Sequence, residues 1–189
     1  MKKILPFAAL ASLAVFGMGC GPSQNNAMSD NSDKQMQLLE MKYDACQLLT
    51  KADAEASLGG TVKDPLRNVS QTADGKTTVS DCTYSQPLPT GTTDITKIGT
   101  AGLLIRKAAT QAEANQVFAD AMKQSKSLSG VDAISINGVG DKAYWAGGSL
   151  TQMNVLKGDA WYIVNVHVPG GNEEQKALDL AKTIIGKIK

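Results

Sequence analysis

Apolar residues along this chain recur first at helical and then at strand spacing, and the alternation of the two lays out a domain. Met36, Leu39, Tyr43 and Cys46 fall on one helical stripe. Thr50-Lys51-Ala52-Asp53 then carries an N-cap residue with an acidic residue at N3, and Gly59-Gly60 supplies a stop. The segment from Met36 to Leu58 is therefore predicted as two helical pieces. The same grammar returns at Thr110-Gln111-Ala112-Glu113, where Ala114, Val117, Phe118, Ala121 and Met122 form one face. It returns again at Asn172, with Gln175 at N3, where Ala177, Leu178, Ala181, Ile184, Ile185 and Ile188 do so. Each helix has one apolar face and needs a surface beneath it.

Between the helices the pattern shortens. Thr61 to Val69 reads as an edge strand, because Pro65 removes a ladder donor. Thr77 to Tyr84 and Ile95 to Arg106 read as strands joined by the loop Pro87-Leu88-Pro89-Thr90-Gly91. Asp141 to Trp145, Leu150 to Leu156 and Ala160 to Val168 follow, separated by short turns at Gly147-Gly148 and Lys157-Gly158-Asp159. The predicted order is helix, three strands, helix, three strands, helix. Strands joined by hairpins run antiparallel, so the fold class is α+β, a largely antiparallel sheet packed with helices.

The N-terminus has a different pattern: Lys2 and Lys3, an apolar run from Ile4 to Phe16, then Gly17-Met18-Gly19-Cys20. A charged start, a short apolar stretch and small residues before a cut make residues 1–19 an export signal. The run is shorter than the roughly 20 apolar residues a membrane span needs. A cysteine directly after the cut resembles a bacterial lipobox, which implies a lipidated Cys20. Lipoboxes usually carry an aliphatic residue where this chain has Gly17, and Gly17 with Gly19 also satisfies an ordinary signal peptidase. The three cysteines favour lipidation, which leaves Cys46 and Cys82 as an even pair. Residues 20–35 offer a core almost nothing and read as a flexible tether. Residues 36–189 then form a single α+β domain. Gly21 after the cysteine implies sorting to the outer membrane, facing the periplasm, in a bacterium with two membranes.

Composition narrows function by exclusion. The whole chain has 19 basic and 18 acidic residues; losing Lys2 and Lys3 leaves 17 against 18, a formal charge of −1. That balance gives no electrostatic case for nucleic acid. In an exported protein Cys46 and Cys82 read as a structural disulfide; as a redox or nucleophilic pair they would lack C-x-x-C spacing.

The stretches Cys46-Gln47-Leu48-Leu49-Thr50, Leu58-Gly59, Cys82-Thr83-Tyr84 and Gly138-Val139-Gly140-Asp141-Lys142-Ala143-Tyr144-Trp145 resemble exported bacterial lipoproteins of unknown function, with a C-x-L-L-T helix and a C-x-Y strand. Related domains are similar to the photosystem accessory protein PsbP and to extracellular sensor domains of some bacterial kinases. The resemblance implies a PsbP-like α+β sandwich and the disulfide, and it transfers no catalytic residue.

Chemistry is sparse. His167 is the one histidine, which excludes a histidine-rich metal site. On the strand Ala160 to Val168, Val164, Val166 and Val168 point one way and Trp161, Ile163, Asn165 and His167 the other. The second set is a candidate contact face, Trp161 stacking while Asn165 and His167 hydrogen-bond; the plainer reading is a half-covered sheet face meeting solvent. Gly138-Val139-Gly140-Asp141 lacks the third glycine and the helix of a dinucleotide fingerprint and reads as a turn. Tyr144 and Trp145 should face opposite sides, one in the core and one available for contact. No cofactor or metal is implied. The sequence predicts a non-enzymatic binding or accessory domain, anchored to the membrane through lipid, with an envelope protein or small-molecule ligand as partner. The alternatives are a small-molecule carrier with a cavity between helix and sheet and, further off, an enzyme.

Overall fold

The structure, a computed structural model, describes residues 40–91 and 93–188. The export signal, Cys20, the tether and the residues Met36 and Leu39 lie outside this range.

The first helical stripe is interrupted rather than continuous. A 3-10 turn at Met41–Tyr43 gives way at Asp44 to the single-turn helix α1, Ala45–Leu48. The Asp44 backbone is extended and its carboxylate accepts the N–H groups of Cys46 and Gln47. Asp44 is buried, and Arg67 pairs with its other oxygen at 2.5 Å. An uncapped buried carboxylate would be costly; here two N–H donors and a guanidinium share it. Helix α2, Lys51–Leu58, starts on the Thr50–Asp53 capping box and stops at Gly59 with φ 73°. Helix α3, Gln111–Ser129, is capped by Thr110, and α4, Glu173–Gly186, by Asn172.

Among the described residues seven strands form one sheet in the order β1-β2-β3-β7-β6-β5-β4, every neighbouring pair antiparallel. They are β1 Leu66–Gln71, β2 Thr78–Ser85, β3 Thr100–Lys107, β4 Ile134–Ile136, β5 Lys142–Ala146, β6 Gln152–Lys157 and β7 Ala160–His167. With the four α-helices of the described residues this is the α+β architecture that the alternation of patterns predicts. Strand β1 lies at an edge, but it begins only after Pro65, so residues 61–65 of the strand expected over Thr61 to Val69 stay outside the sheet. Two further details differ. The strand expected from Ile95 starts only at Thr100, because Asp94 caps a 3-10 turn over Ile95–Lys97. The short edge strand β4, pairing Ile134 with Trp145 and Ile136 with Ala143, adds a seventh strand to the six expected. Three residues are too few for periodicity to register.

Helices cover the two sheet faces unequally. On the first face, α1, α2 and α4 close over Cys82, Tyr84, Leu103, Ile105, Met153, Val155, Tyr162, Val164 and Val166, all buried. The Cys46–Cys82 disulfide crosses this layer, with Cα atoms 5.1 Å apart. On the second face, among the described residues, α3 alone packs, over β5, β6 and β7, making a smaller core of Ala114, Phe118, Tyr144, Ala146, Leu156 and Trp161. The C-terminus of α3 is held at the β5–β6 turn, where Ser149 N–H donates to the Ser129 carbonyl. Gly148, at φ 64°, makes that approach possible: a Cβ there would stand 2.1 Å from the same carbonyl oxygen. The Gly138–Asp141 stretch is a turn, with positive φ at Gly138 and Gly140, and Asp141 accepts the Gly158 N–H at 2.7 Å.

Candidate functional site

The strand register defines what α3 leaves open. On the second face, one row across the sheet runs Asp81, Leu104, Ile163; the next runs Thr83, Gly102, Asn165; the outermost runs Ser85, Thr100, His167. Leu66 and Asn68 extend the first two strands' rows onto β1, opposite Thr83 and Asp81. Except for buried Gly102 and exposed Leu66 and Asn68, these residues are half-buried. Helix α3 forms a wall along this floor. Val117 and Leu128 lie eleven positions apart, close to three helical turns, and so share a stripe. Val117 lines a small recess of about 40 Å³ with Arg106 and Trp161, which fixes the side of the helix it occupies. Leu128 is 62% exposed. The result is an L-shaped surface of mixed polarity, because exposed Gln124 lies between Val117 and Leu128 on the same stripe.

The sequence-predicted contact residues distribute unevenly over it. Trp161, expected on an open face, is instead buried at 8% exposure under α3. Its ring meets Phe118 edge-on at 6.1 Å, its indole N–H donates to Asn154 Oδ1, and the Arg106 guanidinium sits 5.5 Å from the ring centroid. The assignment of alternate residues to two faces holds; the second face is covered where α3 crosses it. Neither Tyr144 nor Trp145 is available for contact: Tyr144 is buried beneath α3, and Trp145, on the other side of its strand, is buried in the first core. Burial pushes the Tyr144 phenol up to about 12.

Asn165 and His167 do lie beyond the helix. Asn165 Oδ1 is buried without a hydrogen-bond partner. His167 Nδ1 lies 2.5 Å from Glu173 Oε1, in the first turn of α4, and Nε2 lies 3.1 Å from the Thr96 carbonyl. The Thr96 carbonyl, then Glu173, raise its pKa above the ordinary imidazole value. His167 thus ties the β2–β3 loop to the start of α4. Along the strand, Trp161 and His167 stand about 20 Å apart by the usual rise per residue, so they cannot form one compact site.

Asp81 is not among the candidate residues that the sequence marks. It sits mid-floor, and burial raises its pKa against the lowering effect of hydrogen bonds from Cys82 N–H and Thr83. No basic group acts on it among the described residues. The signal was present: Cys82 and Tyr84 mark the inner face of β2, so Asp81 and Thr83 had to face outward.

Three other depressions among the described residues are open. The opposite flank of α3 borders adjoining recesses of about 410 and 380 Å³, which share Ala119 and Met122; the larger also has Phe118, Ile136 and Val139. A groove of about 270 Å³ between α2 and α4 is lined by Asp53, Ser57, Lys176, Asp179 and Thr183. There Lys187 bridges Asp53 and the Leu48 carbonyl, while Lys176 donates to the Ser57 carbonyl, so its cations are engaged in joining the helices. Among the described residues no group of three or more His, Cys, Asp or Glu side chains could hold a metal ion, and no helix is long and apolar enough to cross a membrane.

Comparison with protein-family models and with curated proteins finds no match. Among solved structures, the extracellular domain of PknH from Mycobacterium tuberculosis is similar, with a TM-score of 0.55 at 11% sequence identity, covering 80% of this chain and 97% of that one. At that identity the likeness is one of fold.

Proposed function

We propose that the chain is an envelope lipoprotein, anchored through Cys20, whose domain binds a partner non-enzymatically through the open half of the second sheet face. The observation that carries the reading is the unequal cover of the sheet. One face is closed by three helices and a disulfide, while the other presents a half-buried floor beside the exposed flank of α3. Adjoining exposed apolar groups mark interaction sites more often than scattered ones do, and here Leu104 and Ile163 on the floor lie near Leu66 and Val117. A structural disulfide fits an oxidising compartment, and the fold similarity to an extracellular domain supports the same side of a membrane. The engagement of both His167 nitrogens supports a structural role for the one histidine.

The test is co-purification from detergent-solubilised envelope, comparing wild type with Leu104→Glu, with proteins and small molecules both identified. A partner captured by wild type and lost with Leu104→Glu is the expected result; capture indifferent to Leu104 would overturn the choice of face. Cys20→Ser should move the protein from the membrane to the soluble fraction.

A second reading, a small-molecule carrier, is favoured by the recesses on the other flank of α3. Phe118, Met122, Ile136 and Val139 give the larger one an apolar part that suits the hydrophobic portion of a ligand, beside Asn137, Asp141 and Lys142 for its polar portion. That reading expects a compound to co-purify in proportion to protein and to be displaced by Met122→Lys, with Leu104→Glu having no effect.

A further inference from the structure

We infer that Asp81 is an anchor for a lysine or arginine side chain of a partner protein laid across the open face. The inference rests on the reading of that face as the binding surface and adds the chemistry of what it takes.

The argument starts from the charges on the floor. Between β1 and β7 the second face carries Asp81 and Arg106, one strand apart and on adjacent rows, since Asp81 pairs with Leu104 and Val79 with Arg106. Such diagonal neighbours are within reach of a long side chain. Arg106 nevertheless turns away from Asp81 and lies over Trp161, beside the small recess that also contains Glu113. Asp81 is left with the Thr83 hydroxyl and the Cys82 N–H and, among the described residues, with no basic group.

Strands disfavour aspartate, and a half-buried carboxylate lacking a cation gains nothing for the fold that asparagine would not supply. The charge makes sense as one half of a pair whose other half arrives with a partner. Its surroundings suit the two long cationic side chains. Leu104, opposite on β3, and Val79, two residues back on β2, give apolar surface for a methylene stem, while the carboxylate receives the charged head. Gly102 keeps the middle of the floor low between Thr83 and Asn165, where a partner backbone can come close. A Cβ at that position would already press to 3.2 Å from Thr83 Oγ1.

The experiment uses four capped tripeptides, each with leucine on both sides of a central arginine, lysine, glutamine or glutamate. They are titrated into isotopically labelled protein while backbone amide shifts are followed. The arginine and lysine peptides should perturb Asp81, Thr83 and Leu104 and bind tighter than the glutamine peptide by on the order of tenfold, as for a hydrogen bond to a charged group. Added salt should narrow the gap. Asp81→Asn should erase the preference for the cationic peptides while leaving the melting temperature unchanged or higher.

Equal binding of the glutamine and arginine peptides would overturn the inference, as would a stability loss in Asp81→Asn, which would show the carboxylate to be structural. Binding of the glutamate peptide at these amides would overturn it too. The two readings fail separately. Partner capture that survives Leu104→Glu removes the face itself. Capture lost with Leu104→Glu but kept in full with Asp81→Asn leaves the face standing and removes the cationic anchor.

Discussion

Strand β7 carries both halves of the molecule on alternate residues. Tyr162, Val164 and Val166 point into the first core and are each 1% exposed or less. Their neighbours Trp161, Ile163, Asn165 and His167 point to the second face and pass from buried to half-exposed within one strand. The difference arises from what lies above. Three helices cover the first face along its length, and α3 covers only the β5–β7 part of the second. Periodicity decides which side a residue takes, but exposure on that side depends on how far a helix from elsewhere in the chain extends.

The largest expected effect lies on the closed face. The disulfide spans 36 residues, and in the chain-entropy model a loop of that length stabilises the fold by about 4 kcal/mol. Replacing Cys46 and Cys82 together by alanine should therefore lower the melting temperature by on the order of 10 °C. Peptide mapping without reductant should recover the two cysteines in one linked fragment. A double variant that melts with wild type would show that helix packing alone closes this face.

Adjacent residues of β3 offer a sharper contrast. Leu103 is fully buried in the first core, and Leu104 is half-buried on the open floor. Leu103→Ala should destabilise by about 3 kcal/mol, through lost transfer energy and a cavity that the packed helices cannot fill. Leu104→Ala should cost about 1 kcal/mol or less, because solvent already reaches the side chain. Urea denaturation of the pair measures the ratio directly. Equal losses would mean that the second face is as closed as the first.

Much of this arrangement can be read from the chain before any coordinates. Thr50, Thr110 and Asn172 are local signals, and each caps the helix it was expected to start. Pro65 and the glycine turns are equally local, and β1 lies at the edge as its proline requires. The burial of Trp161 has a non-local cause. The helix above it begins fifty residues earlier, and nothing in the alternation of β7 records that Phe118 will meet its ring. Asp81 was legible from its neighbour Cys82 but not significant on its own. Its lack of a cation becomes visible only when β3 brings Arg106 near and Trp161 draws it away.

The smallest effect expected is a pH dependence at the open rim. His167 bonds to the Thr96 carbonyl and to Glu173, and both raise its pKa above the ordinary value of 6.5. A histidine whose folded pKa is raised contributes stability in full below its unfolded pKa and loses it as pH rises through the folded value. The clamp between the β2–β3 loop and the first turn of α4 should thus be tighter near pH 6 than near pH 8.5, a window set by the imidazole. The lowered carboxyl groups of Asp53, Asp74 and Asp94 titrate well below that window, and Tyr144 titrates well above it. The ring is partly exposed, so solvent screening keeps the effect small. Amide hydrogen exchange should show Lys97 to Gly99 and the first turn of α4 losing protection as pH rises, after correction for intrinsic exchange. The same segments in His167→Gln should show no such change. If the variant keeps the dependence, the Thr96 and Glu173 bonds do not hold the rim, and the loop is set instead by the Asp94 cap on its 3-10 turn.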